Sequence, residues 1–121
     1  MLLSHDHYDH FCEATVRRLA ASHRATFVAG LGNGALLRAF GVARVHELDW
    51  WQGVQVEGAH LTFAPTQHFS GRGLTDRDRT LWGAFAMETA SARIYFGGDT
   101  GMGPHFAQTR ERLGAPDLAL L

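Results

Sequence analysis

Four residues near the amino terminus have the side-chain types and the spacing of a metal site. The apolar pair at positions 2–3 is followed by the pattern His-x-His-x-Asp-His, formed by His5, His7, Asp9 and His10. In an extended backbone, residues two apart point to the same side, so His5 and His7 can bind one metal ion together. Asp9 and His10, after a turn, can reach a second ion nearby. Imidazole nitrogens with a carboxylate suit zinc and related divalent ions, and we favour this interpretation over an exposed polar turn.

Two further residues with metal-binding side chains follow predicted strands. His68 comes after the apolar run 61–65, and Asp99 comes after the run 94–98. Ligands at the ends of several strands can converge on one rim of a sheet, where loops are free to shape a site. Each residue alone would be interpreted as a polar loop group, but together with the first motif both are predicted metal ligands.

The order and spacing of these residues resemble the metallo-β-lactamase superfamily. The resemblance is carried by the His-x-His-x-Asp-His pattern, then His68, then the tripeptide Gly-Asp-Thr at 98–100. Two longer segments, PTQHFSGRGLTDRDRTLWG at 65–83 and YFGGDTG at 95–101, resemble a narrower branch. That branch comprises N-acylphosphatidylethanolamine-hydrolysing phospholipase D and its bacterial relatives. The resemblance covers essentially the whole chain.

The resemblance implies a dinuclear zinc site with six ligands from this chain. They are His5, His7 and His68 for the first ion, Asp9 and His10 for the second, and Asp99 between the two ions. Paired divalent ions acidify water toward a pKa of about 7 and stabilise the charge that develops on a phosphodiester. Asp9 and Asp99 are the candidate catalytic residues that orient the attacking water, and the sequence does not choose between them.

The chain departs from the family pattern at one predicted ligand. Family members have a further histidine well after the Gly-Asp-Thr segment, which completes the shell of the second ion. Here only His105 lies beyond Asp99, six residues on and near the start of a predicted helix. We expect His105 not to replace that ligand, so the number of ions held by this chain is either two or one.

Three arginines lie close together in the loop after His68. They are Arg72, Arg77 and Arg79. The planar guanidinium group suits phosphate oxygens, so these residues are candidate substrate-binding groups. Arginines that brace the loop through Asp76 and Asp78 are an equally good interpretation.

The elements that must position these residues alternate between strands and helices. Strands are predicted at 1–3, 25–29, 45–48, 54–57, 60–64, 80–89, 93–96 and 117–121, and helices at 11–22, 35–40 and 104–113. Asn33 is a candidate cap for the second helix. The order predicts a mixed α/β (α+β) fold, and the resemblance makes it part of the αββα metallo-β-lactamase sandwich. We expect a single partial domain over 1–121, truncated at both ends, because the chain starts and stops in apolar strands that look buried.

The bulk composition limits the classes of protein. With 121 residues, 45% hydrophobic residues and a net charge of −1, the chain has an ordinary globular composition and no basic excess for nucleic-acid binding. The single cysteine cannot form an internal disulfide, and neither a signal peptide nor an apolar run of about 18 residues is present. These features predict a cytoplasmic protein, and a peripheral contact with a membrane is compatible with them.

Together these observations predict a metal-dependent hydrolase, a phosphodiesterase acting on small-molecule or lipid substrates such as N-acyl phospholipids. A lactonase or other ester hydrolase of the same superfamily is the alternative within enzymes, since one fold supports many reactions. The alternative outside that class is a catalytically incomplete metal-binding fragment, and we expect the activity of this truncated chain to be impaired. Such a fragment would expose sheet faces and edges, which favours self-association.

Overall fold

The computed structural model describes all residues from 1 to 121, which form eight strands and three helices. The strands are β1 (Leu2–Leu3), β2 (Thr26–Gly30), β3 (Arg44–Leu48), β4 (Gly53–Val56), β5 (Ala59–Ala64), β6 (Ala84–Glu88), β7 (Arg93–Phe96) and β8 (Leu118–Leu120). The helices are α1 (Glu13–His23), α2 (Gly34–Ala39) and α3 (His105–Leu113). No helix combines the length and the hydropathy that a membrane span requires.

The first sheet is parallel and has the order β1-β2-β3. Its central strand β2 is buried along its whole length, as expected of a parallel strand that is covered on both faces. On one face, Phe27 and Ala29 pack with side chains of the two crossover helices, including Val16 of α1 and Leu37 of α2. On the other face, Val28 packs toward the second sheet.

The second sheet has the order β4-β5-β6-β7-β8. The first four strands are antiparallel, and β8 returns parallel to β7 after the crossover through α3. The β4–β5 hairpin turns at Glu57 and Gly58, which have φ values of 49° and 85°. Positive φ at both central residues is the geometry of a two-residue hairpin turn that matches the twist of the strands.

The two sheets pack face to face through apolar side chains. Val28 and Leu48 of the first sheet belong to one cluster with Leu61, Phe63 and Phe85 of the second. The rings of Phe63 and Phe85 lie 4.9 Å apart between centroids, and burial of one such side chain contributes about 1.5–3 kcal/mol. On the outer face of the second sheet, a separate cluster of β-strand residues packs with Phe106 of α3. The layer order is therefore helix, sheet, sheet, helix, which confirms the predicted mixed α/β sandwich.

Two of the predicted strands differ from the observed ones. The strand expected at 80–89 begins only at Ala84, because the preceding residues cross to the first sheet. There, the Leu81 amide donates to the Leu31 carbonyl at 2.7 Å and the Gly83 amide donates to the Ser4 carbonyl at 2.9 Å. The last strand, expected to be buried, is an edge strand whose three residues are all exposed.

The predicted cap of the second helix is right in position but not in its side-chain bond. Asn33 occupies the N-cap position, but its Oδ1, the atom that would accept from the helix amides, has no hydrogen-bond partner, while its Nδ2 donates to the carbonyls of Gly30 and Leu81 at 2.9 and 3.1 Å. The capping acceptor is instead Glu47 of β3, whose Oε1 accepts from the amides of Gly32 and Gly34 at 2.9 Å each. A carboxylate from a neighbouring strand thus satisfies the free amides at the start of α2.

Candidate metal centre

Three chain segments from both sheets bring the predicted ligands to one edge of the sandwich. The segment after β1 carries His5, His7 and His10, the loop after β5 carries His68, and the loop after β7 carries Asp99. The bond from Gly83 to the Ser4 carbonyl joins the first sheet to the second directly beside this edge. Residues up to 94 positions apart in sequence thus become neighbours, since the loops at the strand ends share one rim.

One group of donors consists of three imidazoles. The ligand atoms of His5, His7 and His68 all lie within 4.8 Å of one another. His68 Nε2 is 3.3 Å from His7 Nδ1, and the rings of these two residues are 5.0 Å apart between centroids. The ring of Phe69 lies 4.6 Å from that of His7 and covers the group from one side. This arrangement has the donor types and the spacing of a site for a divalent ion.

A second group shares one imidazole with the first. The ligand atoms of His5, His10 and Asp99 lie within 4.8 Å of one another. Asp99 Oδ1 is 3.2 Å from His10 Nε2, and Asp99 Oδ2 is 3.9 Å from His5 Nε2 and 3.8 Å from His68 Nε2. The two oxygens of Asp99 therefore face different imidazoles, and the carboxylate lies between the two groups.

His5 is the most buried of the donors. Its side chain is 1% exposed, its Nδ1 lies 3.0 Å from Ser4 Oγ, and its buried Nε2 has no hydrogen-bond partner. Burial, and then the neighbouring His10, His7 and His68, lower the pKa of His5 to about 4. Burial, followed by the nearby His7, also lowers the pKa of His68. Both imidazoles are therefore neutral near pH 7, which is the form that binds a metal ion.

The residues present fit a metal ion. A buried ring nitrogen without a partner has lost its hydrogen bond to water, and such groups are rare in folded proteins. Here that nitrogen faces three other imidazoles and a carboxylate within a few ångströms. A divalent ion would satisfy Nε2 of His5 with a ligand bond, and nitrogen donors with one carboxylate match zinc and other borderline ions.

The loop that carries Asp99 is fixed to the loop that carries His68. Thr100 Oγ1 accepts from the Gln67 amide at 3.1 Å, and the Gly101 amide donates to the Gln67 carbonyl at 2.9 Å. Gly98 has φ of +61°, and a Cβ there would lie 2.6 Å from Cβ of Ser4. Only glycine allows this approach, which brings Asp99 next to the histidine motif.

Two candidate residues lie outside both donor groups. Asp9 has a side chain that is 79% exposed, and its Oδ2 is 3.8 Å from His10 Nε2. His105 is buried, and its Nε2 lies 3.0 Å from Thr100 Oγ1 rather than among the donors. The structure therefore brings together five of the six predicted ligands and leaves Asp9 at the rim.

The three arginines of the loop have different surroundings. Arg72 donates from Nη1 to the carbonyls of Asp6 and Phe11 at 2.8 and 2.9 Å. The guanidinium of Arg77 lies over the ring of Phe69, 4.2 Å from its centroid, and 3.6 Å from a carboxylate oxygen of Asp78. Arg79 is exposed. Arg72 thus braces the loop, but through backbone carbonyls of residues 6 and 11 rather than through Asp76 or Asp78, and the arginine beside Asp78 is Arg77. Arg77 and Arg79 lie on the outside of the loop.

Sequence reasoning missed two residues that support the centre. Ser4 contacts His5 through its hydroxyl, and the buried carboxylate of Asp6 accepts from the Gly71 amide at 2.7 Å and from Thr80 Oγ1 at 2.9 Å. The two-residue alternation that pairs His5 with His7 also points Asp6 the opposite way. That alternation could have identified Asp6 as a group directed into the protein.

Comparisons with known proteins agree with this geometry. A family model described as "Beta-lactamase superfamily domain" matches residues 1–121. An uncharacterized protein of Mycobacterium tuberculosis is 46% identical over 123 residues, which cover 100% of this chain and 33% of that protein. The mitochondrial N-acyl-phosphatidylethanolamine-hydrolyzing phospholipase D of Saccharomyces cerevisiae is 31% identical over 120 residues, covering 94% of this chain and 26% of that protein. The chain thus spans about a third or less of the length of these relatives.

Among solved structures, a possible metal-dependent hydrolase from Veillonella parvula superposes with a TM-score of 0.74. The match covers 98% of this chain and 45% of that one, at 15% sequence identity. At that identity the superposition establishes the shared fold and nothing about the substrate.

Proposed function

The chain belongs to the β-lactamase superfamily, and on that basis we propose that it carries the zinc centre of a phosphodiesterase acting on N-acyl phospholipid-like substrates. Members of this superfamily are metal-dependent hydrolases, and the yeast relative supports the narrower branch. The observation that carries the proposal is the convergence of two donor groups that share His5 and have Asp99 between them.

The proposed ligands divide between two positions. His5, His7 and His68 would hold the first ion, while His10 with Asp99, and Asp9 from the rim, would hold the second. When bound, divalent ions of such a centre act as Lewis acids on the phosphodiester and supply a nucleophile at neutral pH by acidifying water. The lowered pKa values of His5 and His68 keep both rings in the neutral, ligating form at that pH.

Asp99 is the stronger candidate for orienting the attacking water. Its carboxylate is 45% exposed, so water can reach it, while its oxygens are held 3.2 to 3.9 Å from the rings of His10, His68 and His5. A carboxylate oxygen in that position accepts a hydrogen bond from water and can take its proton. Asp9 is the alternative, and its greater exposure leaves its orientation less defined.

Exposed side chains on the loops around the centre favour a lipid-like phosphodiester as the substrate. Three large apolar side chains are exposed on the loops that carry the ligands, namely Tyr8, Leu74 and Met102. Exposed apolar groups around a site favour contact with acyl chains or with the surface of a membrane. Arg77 and Arg79 lie on the same loop as Leu74 and would supply the cationic contacts to a phosphate.

Hydrolysis assays on zinc-loaded protein test the proposed substrate class. We expect cleavage of an N-acylphosphatidylethanolamine in mixed micelles that is faster than cleavage of an acyl homoserine lactone, a representative carboxylic ester. Asp99→Asn should lower the phosphodiesterase rate by about a hundredfold or more, since a positioned acid–base group contributes about 10²- to 10⁴-fold. Thr75→Ala, an exposed residue of the same loop as His68, is the matched control. Cleavage of the lactone without cleavage of the phosphodiester would replace the proposal with the ester-hydrolase alternative.

A further inference from the structure

The carboxylate of Asp6 is buried between the two segments that supply the first donor group. It accepts from the Gly71 amide at 2.7 Å and from the Thr80 hydroxyl at 2.9 Å. A buried charge is costly unless it is hydrogen-bonded, so these two contacts fix the position of the carboxylate. Asp6 lies between His5 and His7 in the chain, and Gly71 lies three residues after His68. The contact therefore joins the histidine motif to the loop that carries the third imidazole.

Arg72 makes the reciprocal connection from the loop to the motif. Its Nη1 donates to the carbonyl of Asp6 at 2.8 Å and to the carbonyl of Phe11 at 2.9 Å, so one nitrogen binds both ends of the turn. The guanidinium also lies over the ring of Tyr8, 4.1 Å from its centroid. A planar, permanently charged group can make carbonyl and ring contacts together, which an ammonium group does less well.

The backbone around Arg72 is itself held in place. The carboxylate of Asp76 accepts from the Arg72 amide at 3.1 to 3.2 Å and from the Gly73 amide at 2.7 Å. These backbone bonds, that of Gly73 first, lower the pKa of Asp76, so the carboxylate is ionised at neutral pH. The Asp78 amide donates to the Ser70 carbonyl at 3.0 Å and closes the same loop. The loop is thus an ordered support from which Arg72 extends.

We propose that Asp6 and Arg72 are positioning residues that hold the segment 5–11 against the loop 68–80 and keep His68 within reach of His5 and His7. The inference rests on the proposed function, because it assigns a role toward the metal ion of the first donor group. Neither side chain is among the donors, so both act through the histidines. Loss of a group that orients metal ligands typically lowers metal affinity by about 10- to 100-fold.

This role differs from direct contact of Arg72 with a substrate phosphate. A phosphate contact would leave metal affinity unchanged when Arg72 is removed and would raise KM. A positioning role instead lowers metal affinity in the absence of any substrate. The visible absorption of bound Co²⁺ adds a second readout, since its intensity and energy depend on the arrangement of the ligands rather than on overall stability.

The test measures zinc affinity by chelator competition, and Co²⁺ spectra, for the full chain and four variants. We expect Asp6→Ala and Arg72→Ala to bind zinc about 10- to 100-fold more weakly with altered Co²⁺ spectra. Asp6→Asn keeps an oxygen for the Gly71 amide and should recover part of the affinity. Thr75→Ala, an exposed neighbour on the same loop, should stay within about twofold of the original chain.

The outcomes separate this inference from the proposed function. Unchanged zinc affinity and an unchanged Co²⁺ spectrum in Arg72→Ala would overturn the inference while the metal centre stands. If Asp6→Ala does not fold, Arg72→Ala decides alone, because its side chain is only half-buried. Absence of zinc and Co²⁺ binding by the folded original chain would overturn the proposed function, and the inference with it.

Discussion

The two donor groups share His5 but differ in how firmly the protein holds their other members. In the first group, the side chain of His68 is 19% exposed, and two partly buried hydrogen bonds, one accepted by Asp6 and one donated by Arg72, tie its loop to the histidine motif. In the second group, the side chains of His10 and Asp99 are 29% and 45% exposed, and that of Asp9, which lies outside both groups, is 79% exposed. The first group is thus buried or half-buried throughout, whereas the second includes the exposed His10 and lies nearer the rim.

This difference indicates which of the two donor groups is preorganised for an ion by the fold. Ligands that are locked by packing and hydrogen bonds lose little freedom when an ion binds, so their contribution to affinity is largely retained. Exposed ligands must be ordered by the ion itself. We therefore expect the first position to bind zinc more tightly than the second, and the variants below test that order.

Removal of the shared imidazole should have the largest effect. His5→Ala removes one of the three imidazoles proposed for the first ion, so the first zinc affinity should fall by more than about a hundredfold, beyond the loss expected for a supporting residue. The second affinity should fall less, because the free Nε2 of His5 can bind only one ion. Isothermal titration calorimetry with zinc measures the affinity of each of the two binding steps. His60→Ala, an exposed histidine of β5 away from the centre, is the control and should bind zinc as the original chain does. A variant that bound the first ion as tightly as the original chain would contradict the assignment of His5 to that position.

Substitution at the rim should affect only the weaker position. Asp9→Asn should lower the affinity of the second ion by about tenfold and leave the first within about twofold, because Asp9 is exposed and lies outside both groups. The same titration compares it with His10→Ala, which should abolish the second step. An equal loss of affinity for the second ion in the two variants would identify Asp9 as a full ligand. It would also weaken the contrast between a first position that the protein holds rigidly and a second that it does not.

The smallest effect is expected at His105. Its Nε2 contacts the Thr100 hydroxyl rather than the donors, so His105→Ala should leave the number of bound zinc ions unchanged. The Asp99 loop would lose one support, and we expect less than about a tenfold change in the second affinity. Metal analysis after gel filtration provides the count. Loss of one zinc per chain in this variant would identify His105 as the ligand that completes the second position.

The sequence predicted which candidate ligands converge better than it predicted the residues that support them. His5, His7, His68 and Asp99 could be selected as candidates because metal ligands need particular side chains, and strand ends bring such residues to one rim. The alternation of strands and helices also predicted the layers of the fold. These signals are local in sequence or follow from a small number of permitted architectures.

The remaining features depend on contacts between distant residues. The carboxylate of Glu47, rather than the side chain of Asn33, accepts from the amides at the start of α2, and no sequence signal near either residue predicts this contact. Leu118 is half exposed in β8 because its strand lies at the sheet edge, although its apolar run is typical of a buried strand. For Arg72, the choice between a phosphate and the carbonyls of the histidine turn also required the tertiary fold.

Metal content of the purified chain tests the central claim most directly. Inductively coupled plasma mass spectrometry, after equilibration with excess zinc and removal of the unbound metal, counts the ions per chain. The account predicts close to two zinc ions in the original chain and close to one in His10→Ala. About one ion in both proteins, lost in His7→Ala, would reduce the centre to a single position. Folded original chain with no bound zinc would contradict the claim that these donor groups form a metal centre.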